Sequence, residues 1–200
     1  IKYVKAMRKF EQTGDDTDLR TTGNTDQGEP YVPRLVGGDR LPEEIMATAR
    51  EVEPRVVPAD ARALMAAVDV QKNMFVVQVM ALVPGKPFEA EVVDRFNIVK
   101  SQRKDDAGDV LWVKPATELD DWDLIEEQVI DKAYPLAGGV GHMRISLTLC
   151  DSGGKEGVTT NAYNYWRRLK GKGKGSRLQL VKGEPKLDAP RVRLGYPDSQ

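Results

Sequence analysis

The sequence predicts an α/β protein in which a mixed β-sheet is flanked by helices, after an irregular N-terminal segment. Leu64–Val83 holds two apolar, β-branched runs joined across Gln71–Asn73, a pattern typical of a strand hairpin. Met143–Cys150 is a continuous apolar run, which predicts a strand buried on both faces. Helical periodicity on either side of that run predicts helices over Asp120–Tyr134 and Val158–Leu169.

The N-terminal part of the chain has weaker patterns. Ile1–Phe10 is predicted to be a short basic amphipathic helix. From Glu11 onward the chain is rich in Gly, Asp, Thr and Pro, and Thr21–Tyr31 has turn residues without periodicity, so we expect irregular chain there. A further helix is predicted over Leu41–Glu53, with Asp39 as its N-cap.

The remaining elements complete the predicted topology. A third strand is expected over Phe88–Val99, and a short last strand over Leu178–Val181. The charged stretch Ser101–Asp109 is predicted to be a mobile, solvated loop. The order is then three meandering strands, a helix, a buried strand, a helix and a strand. This is the topology of an RNase H-like mixed sheet.

Composition limits the classes of function. The chain has 200 residues, 40% of them hydrophobic and 30% charged, which is ordinary for a globular protein. A formal net charge of −1 predicts no general attraction to nucleic acid or to anionic membranes, so any polyanion must be bound by a local patch. Cys150 is the single cysteine, which favours a reducing compartment without disulfides. No apolar run is long enough to span a membrane, and no membrane partner is expected.

Asp69 is the anomaly in the first strand, because Asp is rare in strands and costly to bury without a compensating partner. We expect its apolar neighbours to hold the carboxylate near the sheet; the alternative is that it caps the strand or pairs with a surface Lys. In the predicted sheet the first and fourth strands are neighbours, so Asp69 and Asp151 would meet at one edge. Two carboxylates this close repel each other, and clefts that keep both ionised normally bind divalent cations.

The sequence also contains one concentrated basic patch next to Trp166. A basic patch can neutralise several phosphates without reading base sequence; the alternative is a flexible solvated loop. The residues after Asp151, DSGGKEG, either cradle a phosphate or form a plain tight turn. The predicted DNA-binding residues are Lys155, Arg167, Arg168, Lys170, Lys172, Lys174, Arg177 and Lys182.

Four motifs in order carry a resemblance to a known family. They are NTDQGEPY at Asn24–Tyr31, VDVQ at Val68–Gln71, DSGG at Asp151–Gly154 and VKG at Val181–Gly183. Together they resemble the large terminase subunit of lambda-type tailed bacteriophages, over most of the chain. The resemblance implies that residues 1–60 are a linker from an ATPase motor and that residues 61–200 are an RNase H-like nuclease domain, truncated at its C-terminus.

The resemblance further implies a DNA endonuclease that cuts concatemeric double-stranded DNA in the host cytoplasm during packaging. Asp69 and Asp151 match two acidic ligands of the catalytic metal site. Two Mg²⁺ or Mn²⁺ ions would serve phosphodiester hydrolysis, since carboxylate oxygens suit these hard cations. The single His142 and single Cys150 are too few for a zinc site. The implied partners are double-stranded DNA, the terminase small subunit and the portal.

The sequence departs from the family in two ways. The third acidic ligand of the family lies on a later helix, so we expect it beyond Gln200, and the chain begins without Met, as a fragment would. No Walker motif is present, so ATP hydrolysis is not assigned to these residues. Two alternatives stay open: a non-catalytic DNA-gripping or docking module, and an actin-like or kinase-type phosphate-binding ATPase. The ATPase would require a Gly-rich turn directly after Asp69, where Gln71–Asn73 stand.

Overall fold

The computed structural model describes residues 2–27, 42–47, 52–87, 89–183, 190 and 192–195. The chain divides into two compact units, Ile1–Glu51 and Val52–Gln200. The β-strands of the described residues all lie in the second unit. The roles predicted for residues 1–60 as a linker and for 61–200 as a nuclease stay predictions.

The first unit is more helical than its composition indicates. Helix α1 spans Lys2–Thr13, which confirms the predicted N-terminal helix over its described residues. The prediction of irregular chain after it is wrong up to Gln27, because α2 spans Thr17–Thr22 and a π-helical turn follows over Gly23–Gln27. Threonine hydroxyls can compete for backbone hydrogen bonds and so disfavour helices. In α2 the Oγ1 of Thr21 instead donates to the Thr17 carbonyl of the preceding helical turn at 2.9 Å, so the hydroxyl is satisfied within the helix.

Helix α3 spans Pro42–Ala47, inside the helix predicted over Leu41–Glu53. The prediction is confirmed for this stretch and is wrong at Val52 and Glu53, which are not helical. Asp39 lies outside the described residues, as does the end of the Thr21–Tyr31 segment.

The sheet of the second unit confirms the predicted α/β class. Its strands are β1 Ala63–Val70, β2 Phe75–Val83, β3 Glu89–Ile98, β6 Ala133–Pro135, β7 His142–Asp151 and β8 Leu178–Val181, while β4 Lys100–Lys104 and β5 Val110–Trp112 form a separate hairpin. Strand β1 pairs antiparallel with β2 and parallel with β7. Strand β2 pairs antiparallel with β3, β7 pairs parallel with β8, and β6 pairs antiparallel with the start of β7. The strand order β3-β2-β1-β7-β8 agrees with an RNase H-like sheet.

Helices cover the apolar face of this sheet. Trp122 is completely buried, with its ring centroid 5.4 Å from that of Phe75 and 5.9 Å from that of Tyr165. Tyr165 belongs to helix α5, Val158–Gly171, which confirms the helix predicted there. The expectation that β7 is buried on both faces is wrong, because its buried residues Ile145, Thr148 and Cys150 are separated by half-buried or exposed ones.

The helix predicted over Asp120–Tyr134 is shorter and irregular. It consists of a 3₁₀ turn over Leu119–Trp122, the short helix α4 over Asp123–Ile125 and a π-helical turn over Glu126–Ile130. Together these pieces are called the 119–130 helix. Tyr134 lies in β6 instead, where its hydroxyl donates to the buried Asp94 carboxylate at 2.9 Å.

The charged stretch after β3 is an ordered hairpin, so the prediction of a mobile loop is wrong. Strand β4 spans Lys100–Lys104 and pairs with β5, Val110–Trp112. The carboxylate of Asp121, 1% exposed, orders this hairpin. It accepts hydrogen bonds from the Ser101 hydroxyl and from Arg103 Nη2, the latter at 2.9 Å, and from the backbone N–H of Lys114 at 2.7 Å. The inward side chains of Ser101 and Arg103 therefore both meet this one carboxylate.

We predict that Asp121→Asn lowers the free energy of unfolding by about 3 kcal/mol at neutral pH, because Arg103 loses its buried partner. Burial alone would raise the pKa of Asp121, but hydrogen bonds from Arg103, Ser101 and Lys114 outweigh it and hold the pKa below its usual 3.8. The stabilisation is therefore present above about pH 4 and is lost as the pH falls through the folded-state pKa. Urea unfolding at several pH values measures this.

The matched control is Asp120→Asn, whose side chain is 80% exposed. We expect it to change the free energy of unfolding by less than about 1 kcal/mol. Equal stability of the Asp121→Asn variant and the parent at neutral pH would contradict the role given to Asp121.

Candidate active site

The two aspartates singled out in the sequence lie side by side. Val68 of β1 is in register with Cys150 of β7, so Asp69 and Asp151 are the next residues on neighbouring parallel strands. Such strands lie about 4.8 Å apart, and residues in register point to the same face. Both carboxylates therefore lie at the carboxyl edge of the sheet, on the face opposite to the buried Val68 and Cys150. This edge is called the aspartate edge below.

Asp69 lies in β1, so its carboxylate is held near the sheet as expected, but it is exposed and not buried beside Val68 and Val70. The alternation of β1 buries Val68 and turns Asp69 to the opposite face. Its Oδ2 accepts a hydrogen bond from Gln71 Nε2 at 2.5 Å. Among the described residues no Lys or Arg nitrogen lies within 4.0 Å of this carboxylate, which argues against pairing with a surface Lys.

Asp151 is half-buried and begins a tightly held turn. Its Oδ1 accepts the N–H of Gly153 at 2.9 Å. A Cβ at residue 153 would lie 3.3 Å from that oxygen, which explains the glycine. The Ser152 N–H and hydroxyl both donate to the Val181 carbonyl, at 2.8 and 3.0 Å, and tie the turn to β8. The second carboxylate oxygen has no donor in the described part of the chain and is open to a ligand.

The chemistry of this edge is that of hard oxygen donors. Burial raises the pKa of the Cys150 thiol, and the negative charges of Asp151 and Asp69 raise it further, so this cysteine is inert. His142 begins β7 and lies at its opposite end from Asp151. Two carboxylates with open oxygens fit Mg²⁺ or Mn²⁺, which bind through one or two carboxylates and keep several waters. Among the described residues, no group of three or more acidic, His or Cys side chains is placed to hold a metal ion.

The basic patch is largely neutralised by the 119–130 helix. Arg168 Nη1 lies 3.1 Å from Asp120 and 2.5 Å from Asp123. Lys174 Nζ lies 2.8 Å from Glu126 and 2.7 Å from Asp131. Further contacts in the patch include Lys172 to Glu126, Arg177 to Asp131, Arg167 to Asn164, and Lys170 over the Trp166 ring. These contacts hold the end of α5 against the 119–130 helix. The DNA-binding role of the six residues from Arg167 to Arg177 stays a prediction.

The other two predicted DNA-binding residues flank the aspartates. Lys155 is exposed in the turn after Asp151. Lys182 directly follows β8, whose Val181 is in register with Asp151. The Cγ of Lys182 lies 3.6 Å from the position a Cβ would take at Gly153. Neither lysine has an ion-pair partner in the part of the chain that the structure describes, so no neighbouring carboxylate competes with a ligand for either ammonium group.

Paired acidic side chains at the carboxyl ends of adjacent strands, with lysines beside them, are typical of enzymes that act on phosphate esters. A family model described as the terminase large subunit gpA, endonuclease domain, matches residues 1–200. The chain belongs to this family, which confirms the resemblance seen in the motifs. A search of curated proteins and a search of solved structures gave no match. Among the described residues, no helix is both long and apolar enough to cross a membrane.

We predict that Glu126→Gln lowers the free energy of unfolding by about 1–2 kcal/mol, because Glu126 joins Lys172 and Lys174 to the 119–130 helix. Burial would raise the pKa of Glu126, but the two lysines outweigh it and lower the pKa below its usual 4.5. The stabilisation is thus present above about pH 4.5 and is lost as the pH falls through the folded-state pKa. Thermal and urea unfolding measure the change.

Glu156→Gln is the matched control, since Glu156 is exposed and has no ion-pair partner among the described residues. It should leave the free energy of unfolding unchanged. If both substitutions had the same small effect, the basic patch would not be a structural brace.

Proposed function

We propose that this chain is the metal-dependent endonuclease domain of a viral DNA-packaging terminase, which cuts concatemeric double-stranded DNA. The observation that carries the proposal is the placement of Asp69 beside Asp151 on neighbouring parallel strands. Membership of the gpA endonuclease-domain family supports it and favours it over the phosphate-binding ATPase. The partners we propose with it are the terminase small subunit and the portal, acting in the host cytoplasm.

Asp69 and Asp151 are the residues that would hold two Mg²⁺ or Mn²⁺ ions. When bound, such ions supply a nucleophilic water at neutral pH and stabilise charge on the leaving 3′ oxygen. Gln71 orients Asp69 through its side-chain amide, and the Gly153 N–H orients Asp151. Lys155 and Lys182 bind phosphate oxygens on either side of the Asp151 turn, since their ammonium groups face no carboxylate among the described residues.

The test is nicking of supercoiled plasmid by the 200-residue chain and by a version extended past Gln200, each with Mn²⁺, Mg²⁺ or EDTA. Cutting that needs a divalent cation supports the endonuclease. Cutting by the extended version alone would locate the third acidic ligand downstream. Absence of cutting by either version in any metal would refute the proposal.

The second candidate is a DNA-gripping or docking module without catalysis. It is favoured by the finding that no third acidic side chain joins the two aspartates within the described residues. Tight binding of double-stranded DNA in EDTA, together with no cutting in Mn²⁺ by either version, would support this module.

We predict that Asp69→Asn and Asp151→Asn each reduce metal-dependent cutting by about 10²-fold or more, because each removes an anionic metal ligand. Folding stability should stay equal or rise slightly, since the substitution relieves repulsion between two carboxylates. Initial nicking rates and urea unfolding measure the two effects.

Asp60→Asn is the control, because Asp60 is exposed and precedes β1 at the end opposite to Asp69. It should cut like the parent. Full metal-dependent activity in either the Asp69→Asn or the Asp151→Asn variant would remove that residue from the site.

A further inference from the structure

The β4–β5 hairpin rises from the same edge of the sheet as the aspartates. Ile98, the last residue of β3, is in register with Phe75 of β2, and Phe75 is in register with Val70 of β1. Val70 directly follows Asp69, so β3 ends at the aspartate edge. Two strand spacings separate β3 from β1, which is about 10 Å. The hairpin begins two residues later, at Lys100.

The base of the hairpin is fixed to the turn that follows Asp151. After β5 the carbonyl of Pro115 accepts hydrogen bonds from Trp122 Nε1 and from Asn161 Nδ2, both at 2.9 Å. Gly157, at the start of α5, packs so closely that a Cβ there would lie 2.3 Å from the Ala116 carbonyl oxygen. With the Asp121 carboxylate holding β4, the hairpin is a rigid extension of the candidate active site.

The outward face of this hairpin is basic and aromatic. Trp112 is 52% exposed, and Lys100 Nζ lies 4.5 Å from the centroid of its ring. The pairing register shifts between Lys100 and Lys104, but Lys104 is again in register with Val110, two residues from Trp112 on β5. The three exposed side chains of Lys100, Lys104 and Trp112 therefore share one face. Neither lysine has a carboxylate partner among the described residues, unlike the neutralised lysines that follow α5. A large exposed indole on a braced hairpin is available for contact with a ligand.

The charge along the hairpin also has a direction. Its tip carries Asp105, Asp106 and Asp109, and the Asp105 carboxylate accepts the N–H groups of Ala107 and Asp109 at 3.0 and 2.8 Å. Lys100 lies at the sheet end of the hairpin, whereas Lys104 borders the acidic tip. A polyanion is therefore attracted to the part of the hairpin beside the aspartate edge and is repelled from the tip.

We propose that Lys100, Lys104 and Trp112 form a second DNA-binding face, which grips duplex DNA beside the phosphate positioned at Asp69 and Asp151. This inference rests on the proposed endonuclease function and adds a surface outside the aspartate pair. The lysines neutralise backbone phosphates, and the indole packs against the sugars and base edges. The two strand spacings between β1 and β3, where the hairpin begins, amount to about 10 Å, the length of about three base pairs of duplex, so a duplex bound at the aspartates reaches the base of the hairpin.

The experiment is binding of a short fluorescent duplex to the 200-residue chain in EDTA, followed by anisotropy across a series of salt concentrations. The variants are Lys100→Ala with Lys104→Ala, Trp112→Ala, and the control Lys86→Ala. Lys86 is exposed in the turn between β2 and β3, at the edge opposite to the aspartates. Plasmid nicking is measured in parallel with the version of the chain that cuts.

The double lysine variant should bind about tenfold more weakly at low salt, and the slope of log affinity against log salt should fall by about two. Trp112→Ala should weaken binding several-fold with the slope unchanged, and Trp112→Phe should restore most of the loss. Lys86→Ala should bind like the parent.

Parent-like affinity and slope in the double lysine variant would overturn the hairpin proposal while the endonuclease stands, provided that the parent binds and cuts. No duplex binding by the 200-residue chain, together with no cutting by either version in any metal, would overturn both proposals. Weaker binding of the double variant to a protein partner, with unchanged DNA binding, would also overturn the DNA grip and assign the face to that partner.

Discussion

The parallel pairing of β1 with β7 is the constraint on which the candidate site depends. These strands are far apart in the sequence, and the chain between them forms β2, β3, the β4–β5 hairpin and the 119–130 helix before it returns. The return is fixed by the burial of Trp122 between Phe75 and Tyr165. Because the register sets Val68 beside Cys150, it also sets Asp69 beside Asp151. The core on one face thus maintains a repulsive pair of carboxylates on the other.

Buried carboxylates elsewhere in the second unit, unlike Asp69 and Asp151, have cationic partners among the described residues. Asp94 has a side chain only 5% exposed, and it receives Lys132 Nζ at 3.0 Å and the Tyr134 hydroxyl at 2.9 Å. Burial would raise the pKa of Asp94, but Lys132, Tyr134 and Arg55 outweigh it and lower the pKa. Asp121 is satisfied in the same way by Arg103. Asp69 and Asp151 instead receive only uncharged donors among the described residues, which is the arrangement expected where a cation is to be bound.

The sequence predicted those parts of the fold in which apolar periodicity is strong. The β1–β2 hairpin, α5 and β8 were expected close to their observed bounds, and a general rule of strand connection was enough to bring Asp69 near Asp151. The sequence did not predict β4, because the inward side chains of that strand are the polar Ser101 and Arg103. Their burial is favourable only because both bind Asp121, which is 20 residues from Ser101 in the sequence. For the same reason the sequence did not reveal that the basic patch is ion-paired, since its carboxylate partners lie 43 to 48 residues upstream. Long-range polar contacts of this kind leave no local pattern.

A crystal grown with Mn²⁺ tests the central claim most directly, through anomalous diffraction at the aspartate edge. The account predicts an anomalous peak from Mn²⁺ within coordination distance of carboxylate oxygens of both Asp69 and Asp151. It also predicts that this peak is lost in the Asp151→Asn variant. Mn²⁺ bound only elsewhere, or no peak at this edge at concentrations that support cutting, would contradict the assignment of the two aspartates as the metal site.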